Sequence, residues 1–307
     1  MNASPRRPAL ALIDLLAAVA LGTAAAGLLL PAVQKVRAAD ARAKCADHLR
    51  LIGTGAAGYA TAHDGNLPRD RIEVPRGSWN SEILAHIGEE ELAKAYAPGQ
   101  DWFAPGPGGN RDAAATRVPA FLCPAAPHPD RWVLTQDPDD AARSFKAAPT
   151  DYVGSAGAYY QNNDQNNLHP GAMHHRKITR RIHVSDVQDG AANTLLVVEM
   201  ADKPNGWRAG KLAEDRSGKP QMPALNGQWA APNWNHLRSY TADGREQFGP
   251  CAVNCANGAS IYGFHPGGAN ALFVDGSARF LKAGLSQELL VALVSIAGGE
   301  VLGPGDF

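Results

Sequence analysis

A long apolar segment near the N-terminus constrains this chain more than any other feature of its sequence. The segment runs from Ala9 to Val33 and carries a single charged residue, Asp14. A helix rises about 1.5 Å per residue, so the segment is long enough to cross about 30 Å of hydrocarbon. Arg6 and Arg7 precede it, which predicts that the N-terminus stays in the cytoplasm and that the rest is exported. We therefore expect a single-pass membrane anchor.

A cleaved secretory signal is the alternative interpretation of this segment. Its cleavage site would lie at the small residues Ala24–Ala26. However, the apolar run resumes at Leu28–Leu30 and passes into a helical pattern. A secretory signal has a shorter apolar core and then a polar mature start, so the pattern favours an anchor that is retained.

The helical pattern continues beyond Pro31. Apolar residues recur at helical spacing as far as Tyr59, and Asp64–Asn66 followed by Pro68 ends the pattern. This predicts an amphipathic helix that docks on a soluble domain. The expected division is a cytoplasmic leader over 1–9, a transmembrane part over 10–33, an amphipathic continuation over 34–64 and an extracytoplasmic globular domain over 65–307.

The four cysteines are expected to form disulfides, because an even number of cysteines in an exported chain usually pairs. Cys251 and Cys255 lie close together in a loop rich in Gly, Asn and Pro, where they can close a small ring. Cys45 would then pair with Cys123. Metal binding by the thiolates is the alternative, but no further ligands stand at finger-like spacing in the sequence.

Asp14 is the one charged residue of the apolar segment, and its function distinguishes a simple anchor from a helix that packs with other helices. A carboxylate inside an apolar span costs about 2.5–3.5 kcal/mol even on lenient insertion scales. One account places Asp14 near the headgroups, where it stays hydrated. In the other account Asp14 acts when helices pack together, and it then needs a cationic partner such as the amino terminus of a neighbouring subunit.

The start of the apolar segment resembles the signal of type IV prepilins. Basic residues and a small residue precede Leu-Ala-Leu-Ile-Asp-Leu-Leu and a long apolar run. The resemblance implies that a membrane peptidase cuts between Ala9 and Leu10 and methylates the new amine, and it places Asp14 at the acidic packing position. Pro31 matches the proline that often kinks such helices. Three residues depart from the pattern: Ala9 replaces Gly, Leu10 replaces Phe, and Asp14 replaces Glu.

Four further segments extend the resemblance along the chain. Together with the anchor they resemble a large family of prepilin-anchored bacterial proteins common in planctomycetes, domain-of-unknown-function family 1559, with its H-x9-D-G signature at His265 and Asp275-Gly276. The family has no settled activity. The resemblance implies an inner-membrane protein with a periplasmic or surface domain, and as partners the membrane, the prepilin peptidase and other pilin-like subunits. The four segments are Phe121–Pro124, Thr150–Gly154, Val187–Glu199 and Phe264–Asn270, the last continuing to Phe280.

The signature itself is explained as a β-hairpin. Asp275-Gly276 predicts a two-residue turn of the type that needs positive φ, and two short apolar strands flank it. Gly267 and Gly268 allow a tight approach to the first strand. His265 is then expected to hydrogen-bond the backbone of this hairpin.

The third segment predicts a turn followed by a buried strand. Asp189-Gly190 closes the turn, Asn193 and Thr194 cap it, and a continuous apolar run reaches Met200. Glu199 near the end of this strand is either a ligand or an ion-pair partner. The ion pair is favoured because buried carboxylates are rarely unpaired.

Two polar clusters contain residue types that can bind metal ions. Both lack the spacing or the carboxylates of known metal sites, so we expect them to be solvated loops. The run 161–167 is rich in oxygen ligands but lacks the carboxylates of a calcium loop. His169, His174, His175 and His183 show no recognised zinc spacing. The chain also lacks nucleophile-elbow, phosphate-loop and dinucleotide motifs. We therefore expect no metal, no cofactor and no enzyme activity, and the net charge of −1 argues against nucleic acid as a partner.

The predicted fold is α+β: a long N-terminal pilin-like helix packed on an antiparallel β-sheet with large irregular insertions. Gly 32 and Pro 22, with only 19% charged residues, fit a loop-rich domain better than a helical bundle. Further helices are expected over Ser81–Tyr96 and after an N-cap at Ser286.

Three functions remain open at this point. The favoured one is a pseudopilin-like envelope protein, a subunit of a filament or of a type II secretion-like apparatus. The second is a singly anchored surface module that binds a carbohydrate or another solute, through exposed Trp207, Trp229 and Trp234. The third, a surface hydrolase, requires His265 or the histidines of 169–183 to meet carboxylates in a cleft.

Overall fold

The computed structural model describes residues 12–137, 139–174, 181–213, 227–232, 236–300, 302–303 and 305. The predicted processing site, Ala9 and Leu10, lies outside these residues, as do His175 and Trp234. The chain divides into two compact units, one ending at Asp40 and the other beginning at Ala41.

Five α-helices and thirteen β-strands are described, most of them short. The helices are α1 (Leu12–Ala62), α2 (Trp79–Ile83), α3 (Glu90–Ala95), α4 (Arg111–Ala114) and α5 (Gln287–Val294). The strands are β1 (Ile72–Glu73), β2 (Arg76–Gly77), β3 (Val133–Asp137), β4 (Asp140–Ala147), β5 (Tyr152–Gly154), β6 (Gly157–Tyr159), β7 (Leu168–Pro170), β8 (Leu195–Glu199), β9 (Trp207–Arg208), β10 (Lys211–Leu212), β11 (His236–Leu237), β12 (Gly268–Phe273) and β13 (Ala278–Lys282). The α+β class is confirmed.

Helix α1 continues through Pro31, and its side chains meet two different environments. In its last part, residues at helical spacing are buried in the core of the second unit: Cys45, Leu49, Ile52, Ala56 and Tyr59. In its first part, large apolar side chains are exposed, among them Leu15, Leu21 and Leu29, with exposed fractions of 58%, 72% and 63%.

None of the described helices is both long enough and apolar enough to span a membrane.

The centre of the second unit is a four-stranded antiparallel sheet in the order β13-β12-β8-β5. All five residues of β8 are buried, as expected for a strand covered on both faces. One apolar cluster joins this sheet to α1, and a second cluster joins it to α5. On the α1 side, Gly53 packs closely against the sheet: a Cβ there would come within 2.9 Å of Leu272 Cδ1.

Two local predictions differ from the structure. The helix expected over Ser81–Tyr96 is broken into α2, a 3-10 turn at Leu84–His86 and α3, because Gly88 has a φ of +83° that a helix cannot accommodate. The hairpin turn at the signature has a positive φ at Gly276 but not at Asp275. Phe273 O accepts from Gly276 N at 3.0 Å, which makes a type I turn followed by a left-handed glycine instead of a two-residue turn.

Candidate functional site

The end of strand β8 carries a buried carboxylate. Glu199 pairs across the sheet with Tyr152 on β5, and its own strand runs beside β12. Its Oε2 accepts the backbone N–H of Asn270 at 2.7 Å, and its Oε1 accepts Asn270 Nδ2 at 3.2 Å. Gly263 leaves room for the carboxylate, because a Cβ there would approach Oε2 to 2.5 Å. The pairing of β8 with β5 and β12 therefore places the Glu199 carboxylate beside Asn270.

His265 completes the environment of this carboxylate. Its Nε2 lies 3.1 Å from Glu199 Oε1, and both side chains are essentially excluded from solvent, with exposed fractions of 1% and 0%. Since an ionised carboxylate only accepts hydrogen bonds, the contact requires the proton on Nε2. The predicted contact between the His265 side chain and the hairpin backbone is replaced by this pair. Glu199 is therefore a buried carboxylate with a hydrogen-bonded histidine partner.

A disulfide lies directly beside the histidine–glutamate pair. Cys45 of α1 is bonded to Cys123, with Cα atoms 5.2 Å apart, and Cys123 Sγ is 3.5 Å from His265 Nε2. The second disulfide joins Cys251 and Cys255, so both predicted pairings are confirmed. We call Cys45, Cys123, Glu199 and His265 the buried centre, because one ligand-type atom of each lies within 4.8 Å of those of the other three.

Asp151 positions the cysteine side of the buried centre. Its Oδ2 accepts the backbone N–H of Cys123 at 2.8 Å, and its own N–H donates to Phe121 O at 2.8 Å. Arg131 forms an ion pair with the same carboxylate. The segments at Phe121–Pro124 and Thr150–Gly154 therefore meet here, and those at Val187–Glu199 and Phe264–Asn270 meet at the Glu199–His265 pair. Four segments that are far apart in the sequence therefore meet at the buried centre.

Electrostatics at the buried centre follow from its exclusion of water. Burial first, and then the charges of Glu199 and Asp151, raise the pKa of Tyr152 well above its usual value. The neutral phenol donates to the backbone O of Cys45 at 3.3 Å and so ties α1 to the sheet. Hydrogen bonds in such a water-excluded network help to specify one arrangement of the core.

A second polar network, which the sequence did not reveal, adjoins the first. Asp202 is buried with a φ of +67°, and its Oδ2 accepts from Trp207 Nε1 at 2.8 Å and contacts His128 Nδ1 at 2.7 Å. Its backbone N–H donates to Asp151 Oδ1 at 2.7 Å. The adjacent Lys203 is also buried, and burial lowers its pKa from 10.5 to about 7. The sequence did not point to Asp202, because His128 and Asp151 are distant from it in the sequence.

The remaining signature residues shape turns. Asp275 accepts from Ser277 and Arg279 at the hairpin, outside the buried centre. Gly267 and Gly276 have φ of +87° and +84°, which only glycine adopts readily. Gly268 also forms a backbone bridge with His265.

The turn before β8 is built as predicted. Gly190 has a φ of +95°, and Thr194 Oγ1 donates to its O at 3.1 Å. Asn193 Nδ2 is 3.5 Å from Asp189 O. Asp189 also accepts the backbone N–H groups of Gly298 and Gly299, at 2.7 and 2.9 Å, and thereby holds the chain after α5.

The other candidate clusters are dispersed. His183 caps a 3-10 turn at Val184–Asp186, and His174 Nδ1 contacts Ala156 O at 3.0 Å. In the run 161–167, Asn162 and Asp164 accept from nearby loop groups. Trp229 is fully buried in the main core and Trp207 packs edge-on against Phe264, so the described tryptophans form no exposed cluster.

A cavity of about 380 Å³ lies elsewhere on the second unit, where α1 ends. Its central carboxylate is Glu82, which contacts Arg181 at 2.8 Å, Arg69 at 3.7 Å and Tyr59 Oη at 3.3 Å. Burial raises the pKa of Tyr96, which also lines it, to about 12. We call this the Glu82 pocket. It is lined by Tyr59, His63, Arg69, Ile72, Val74, Pro75, Arg76, Gly77, Ser81, Glu82, Tyr96, Pro98, Gln100 and Arg181.

Comparison with known proteins identifies one family. The profile of the family described as "Protein of unknown function (DUF1559)" matches residues 34–288. No curated protein matches the chain. No solved structure matches it.

Proposed function

The chain belongs to this family of proteins of unknown function, and from that premise we propose that it is an exported envelope protein whose N-terminal helix acts as a pseudopilin-like membrane anchor. One observation carries the proposal. A single helix, α1, is buried in the globular core over its last part and presents exposed leucines over its first part. Burying one such side chain in an apolar medium contributes about 1.5–3 kcal/mol, so the exposed part favours hydrocarbon or other apolar helices.

Two features of the chain support export and orientation. Both cysteine pairs are disulfides, which persist in oxidising compartments. Arg6 and Arg7 precede an apolar run that already begins at Ala9, ahead of the first described residue. The proposed arrangement is therefore a single pass through the inner membrane, with the globular domain in the periplasm or at the cell surface.

The anchor is proposed to be processed as a prepilin signal. The peptidase cuts between Ala9 and Leu10, the new amine is methylated, and Asp14 pairs with the amine of a neighbouring subunit when helices pack. Mass spectrometry of the N-terminus of chain extracted from membranes tests this. We expect a methylated Leu10. An intact Met1 would contradict processing, and a start near Ala26 would contradict the anchor itself.

The packing step is tested separately with Asp14→Asn. This variant should be cleaved at Leu10 normally, but it should give fewer cross-linked oligomers in formaldehyde-treated membranes, because the acceptor of the neighbouring amine has lost its charge. Asp40→Asn, in the polar part of the same helix, is the matched control. Equal cross-linking of parent, variant and control would contradict a packing function for Asp14.

The Glu82 pocket supports a second candidate, a surface module that binds a small sugar. Its volume lies within the range of small-molecule sites, and it combines the rings of Tyr59 and Tyr96 with guanidinium and carboxylate groups. The lining contains three arginines, of which Arg69 and Arg181 contact Glu82 and Arg76 pairs with Asp101. Guanidinium groups bind carboxylates through paired hydrogen bonds, so we propose an acidic sugar as the ligand.

Calorimetric titration with glucuronate and with glucose tests this candidate. We expect glucuronate to bind more tightly than glucose, and Tyr96→Ala to weaken its binding at least tenfold. Trp132→Ala, remote from the pocket lining, serves as the control variant. If neither sugar binds at millimolar concentration, the sugar-binding candidate is wrong.

A further inference from the structure

We propose that the buried centre is a zinc site in the reduced chain: when the Cys45–Cys123 bond is open, the two thiolates, His265 Nε2 and Glu199 Oε1 bind one Zn²⁺. In the oxidised chain the disulfide takes the place of the metal. The two states would hold α1 to the sheet at the same point, one with a covalent bond and the other with a coordinated ion.

The distances within the buried centre carry the proposal. The four ligand atoms lie within 4.8 Å of one another. Zinc bonds of about 2.0–2.3 Å in a tetrahedron place the ligand atoms about 3.3–3.8 Å apart. His265 Nε2 is already 3.5 Å from Cys123 Sγ and 3.1 Å from Glu199 Oε1. The two sulfurs are bonded to each other in this structure, so they must separate, by breaking their bond, before they can bind zinc.

The donor set selects the class of metal. Two sulfurs, one imidazole nitrogen and one carboxylate oxygen suit zinc, whereas calcium and magnesium prefer oxygen ligands alone. All four residues are buried, with exposed fractions between 0% and 3%. A site with four protein ligands and no access for water is structural and not catalytic.

Charge balance shows that zinc binding leaves the net charge of the buried centre unchanged. Reduction adds two electrons and two protons to the disulfide, taken from a dithiol that becomes a disulfide in turn. Zinc then displaces the two thiol protons. His265 stays neutral, because its proton moves from Nε2, which binds zinc, to Nδ1. The charge of Zn²⁺ cancels that of two thiolates, so the buried centre keeps only the single negative charge of Glu199, as in the oxidised state. Two thiolates beside Glu199 without a metal would be prohibitively costly in this dry environment.

Neighbouring groups hold the ligands in place in advance. Asp151 fixes the backbone of Cys123, and Asn270 fixes Glu199 through two hydrogen bonds. His265 Nδ1, in contrast, is buried without a hydrogen-bond partner among the described residues. Since the outer partner of a ligating histidine contributes about 10–100-fold to affinity, this site should bind zinc less tightly than a fully supported one.

The burial of both sulfurs determines how the metal enters. Cys45 and Cys123 have exposed fractions of 0% and 2%, so a reductant reaches them only when the fold opens. Zinc is therefore loaded as the reduced chain folds, and not by reaction with the folded, oxidised protein.

The test uses full-length chain in detergent carrying Cys251→Ser and Cys255→Ser, so that the other pair contributes no thiols. The protein is unfolded, reduced with a phosphine in water, which becomes the phosphine oxide, and refolded with Co²⁺ as a spectroscopic probe for zinc. We expect one cobalt per chain, with intense tetrahedral bands and thiolate-to-cobalt charge transfer, and none in the oxidised protein. His265→Ala should weaken binding at least tenfold, and the surface variant His183→Ala should not.

A measurement that needs no ligand variant covers the case in which His265→Ala fails to fold. X-ray absorption at the zinc edge of the zinc-refolded Cys251→Ser, Cys255→Ser protein should show two sulfur and two lighter ligands. The proposal is overturned if the reduced chain binds no cobalt, if the bound cobalt lacks thiolate charge transfer, or if the zinc edge shows no sulfur.

Discussion

Glu199 is stable in the core because the fold surrounds it with donors. Two come from Asn270 and one from His265, all at hydrogen-bonding distance. A buried charge without such partners would be strongly destabilising, and donors left without an acceptor are costly as well. At the scale of single residues, the stability of this buried carboxylate therefore depends on all three donors.

Removing this carboxylate tests that dependence. Glu199→Ala leaves the donors of Asn270 and His265 unpaired, and each unsatisfied buried group costs about 1–3 kcal/mol. We expect the free energy of unfolding in urea to fall by at least about 3 kcal/mol. Glu246→Ala, at an exposed site, should change it by no more than about 0.5 kcal/mol. Equal effects of the two substitutions would contradict the assigned network.

Lys203 makes stability depend on pH. Its pKa falls from 10.5 to about 7 on folding, because burial penalises the charged form. The unfolded chain therefore binds the proton more tightly, so the penalty is full below about pH 7 and vanishes as pH rises towards 10.5. Lys203→Met should raise the melting temperature by several degrees at pH 6 and by little at pH 10. A gain that is the same at both pH values would contradict this account.

At the scale of elements, a helix can begin for two reasons: a side chain caps its first turn, or its side chains are buried in the core. Helix α5 begins where Ser286 Oγ accepts the N–H of Leu289 at 3.2 Å, as the sequence predicted. Helix α2 begins at Trp79 and its N-cap residue, Ser78, makes no side-chain cap; Trp79 and Ile83 on this helix are buried instead. A helix start with a side-chain N-cap can be predicted from the sequence. The start of a short helix that is stabilised by the burial of its side chains cannot.

The cap of α5 should be measurable by itself. Ser286→Ala removes one acceptor from the first turn, and such a loss costs about 1 kcal/mol. Thermal unfolding should show a correspondingly lower midpoint, while Ser286→Asp should retain most of the stability because aspartate also caps. A Ser286→Ala protein as stable as the parent would show that packing alone starts this helix.

At the scale of the whole molecule, the two disulfides act over very different lengths of chain. Cys45–Cys123 spans a sequence separation of 78 residues and ties α1 to the globular unit, whereas Cys251–Cys255 spans only 4. A cross-link restricts the unfolded chain more when the loop it closes is longer. The first disulfide therefore contributes more to the fold than the second.

Paired substitutions compare the two cross-links. From loop length alone, replacing Cys45 and Cys123 by alanine should cost about 4–5 kcal/mol, and replacing Cys251 and Cys255 about 2 kcal/mol. Urea unfolding of the two double variants, at the same protein and detergent concentrations, gives the comparison. A larger loss for the Cys251–Cys255 pair would contradict the loop-length argument.

The sequence by itself predicted features that depend on neighbours along the chain: the long helix, the turn glycines and the cap at Ser286. Composition and the number of cysteines also predicted the α+β class and both cysteine pairs. The sequence also singled out His265 and Glu199, but it predicted that His265 contacts the hairpin backbone. Metal binding by the cysteines was not expected, because no further metal ligands lie near them at a suitable spacing in the sequence. Only the tertiary structure brought Cys45, Cys123, Glu199 and His265 together, since these residues come from four separate segments. Local rules describe φ angles, caps and periodicity, whereas the composition of a buried centre follows from how the sheet, α1 and the loops pack in three dimensions.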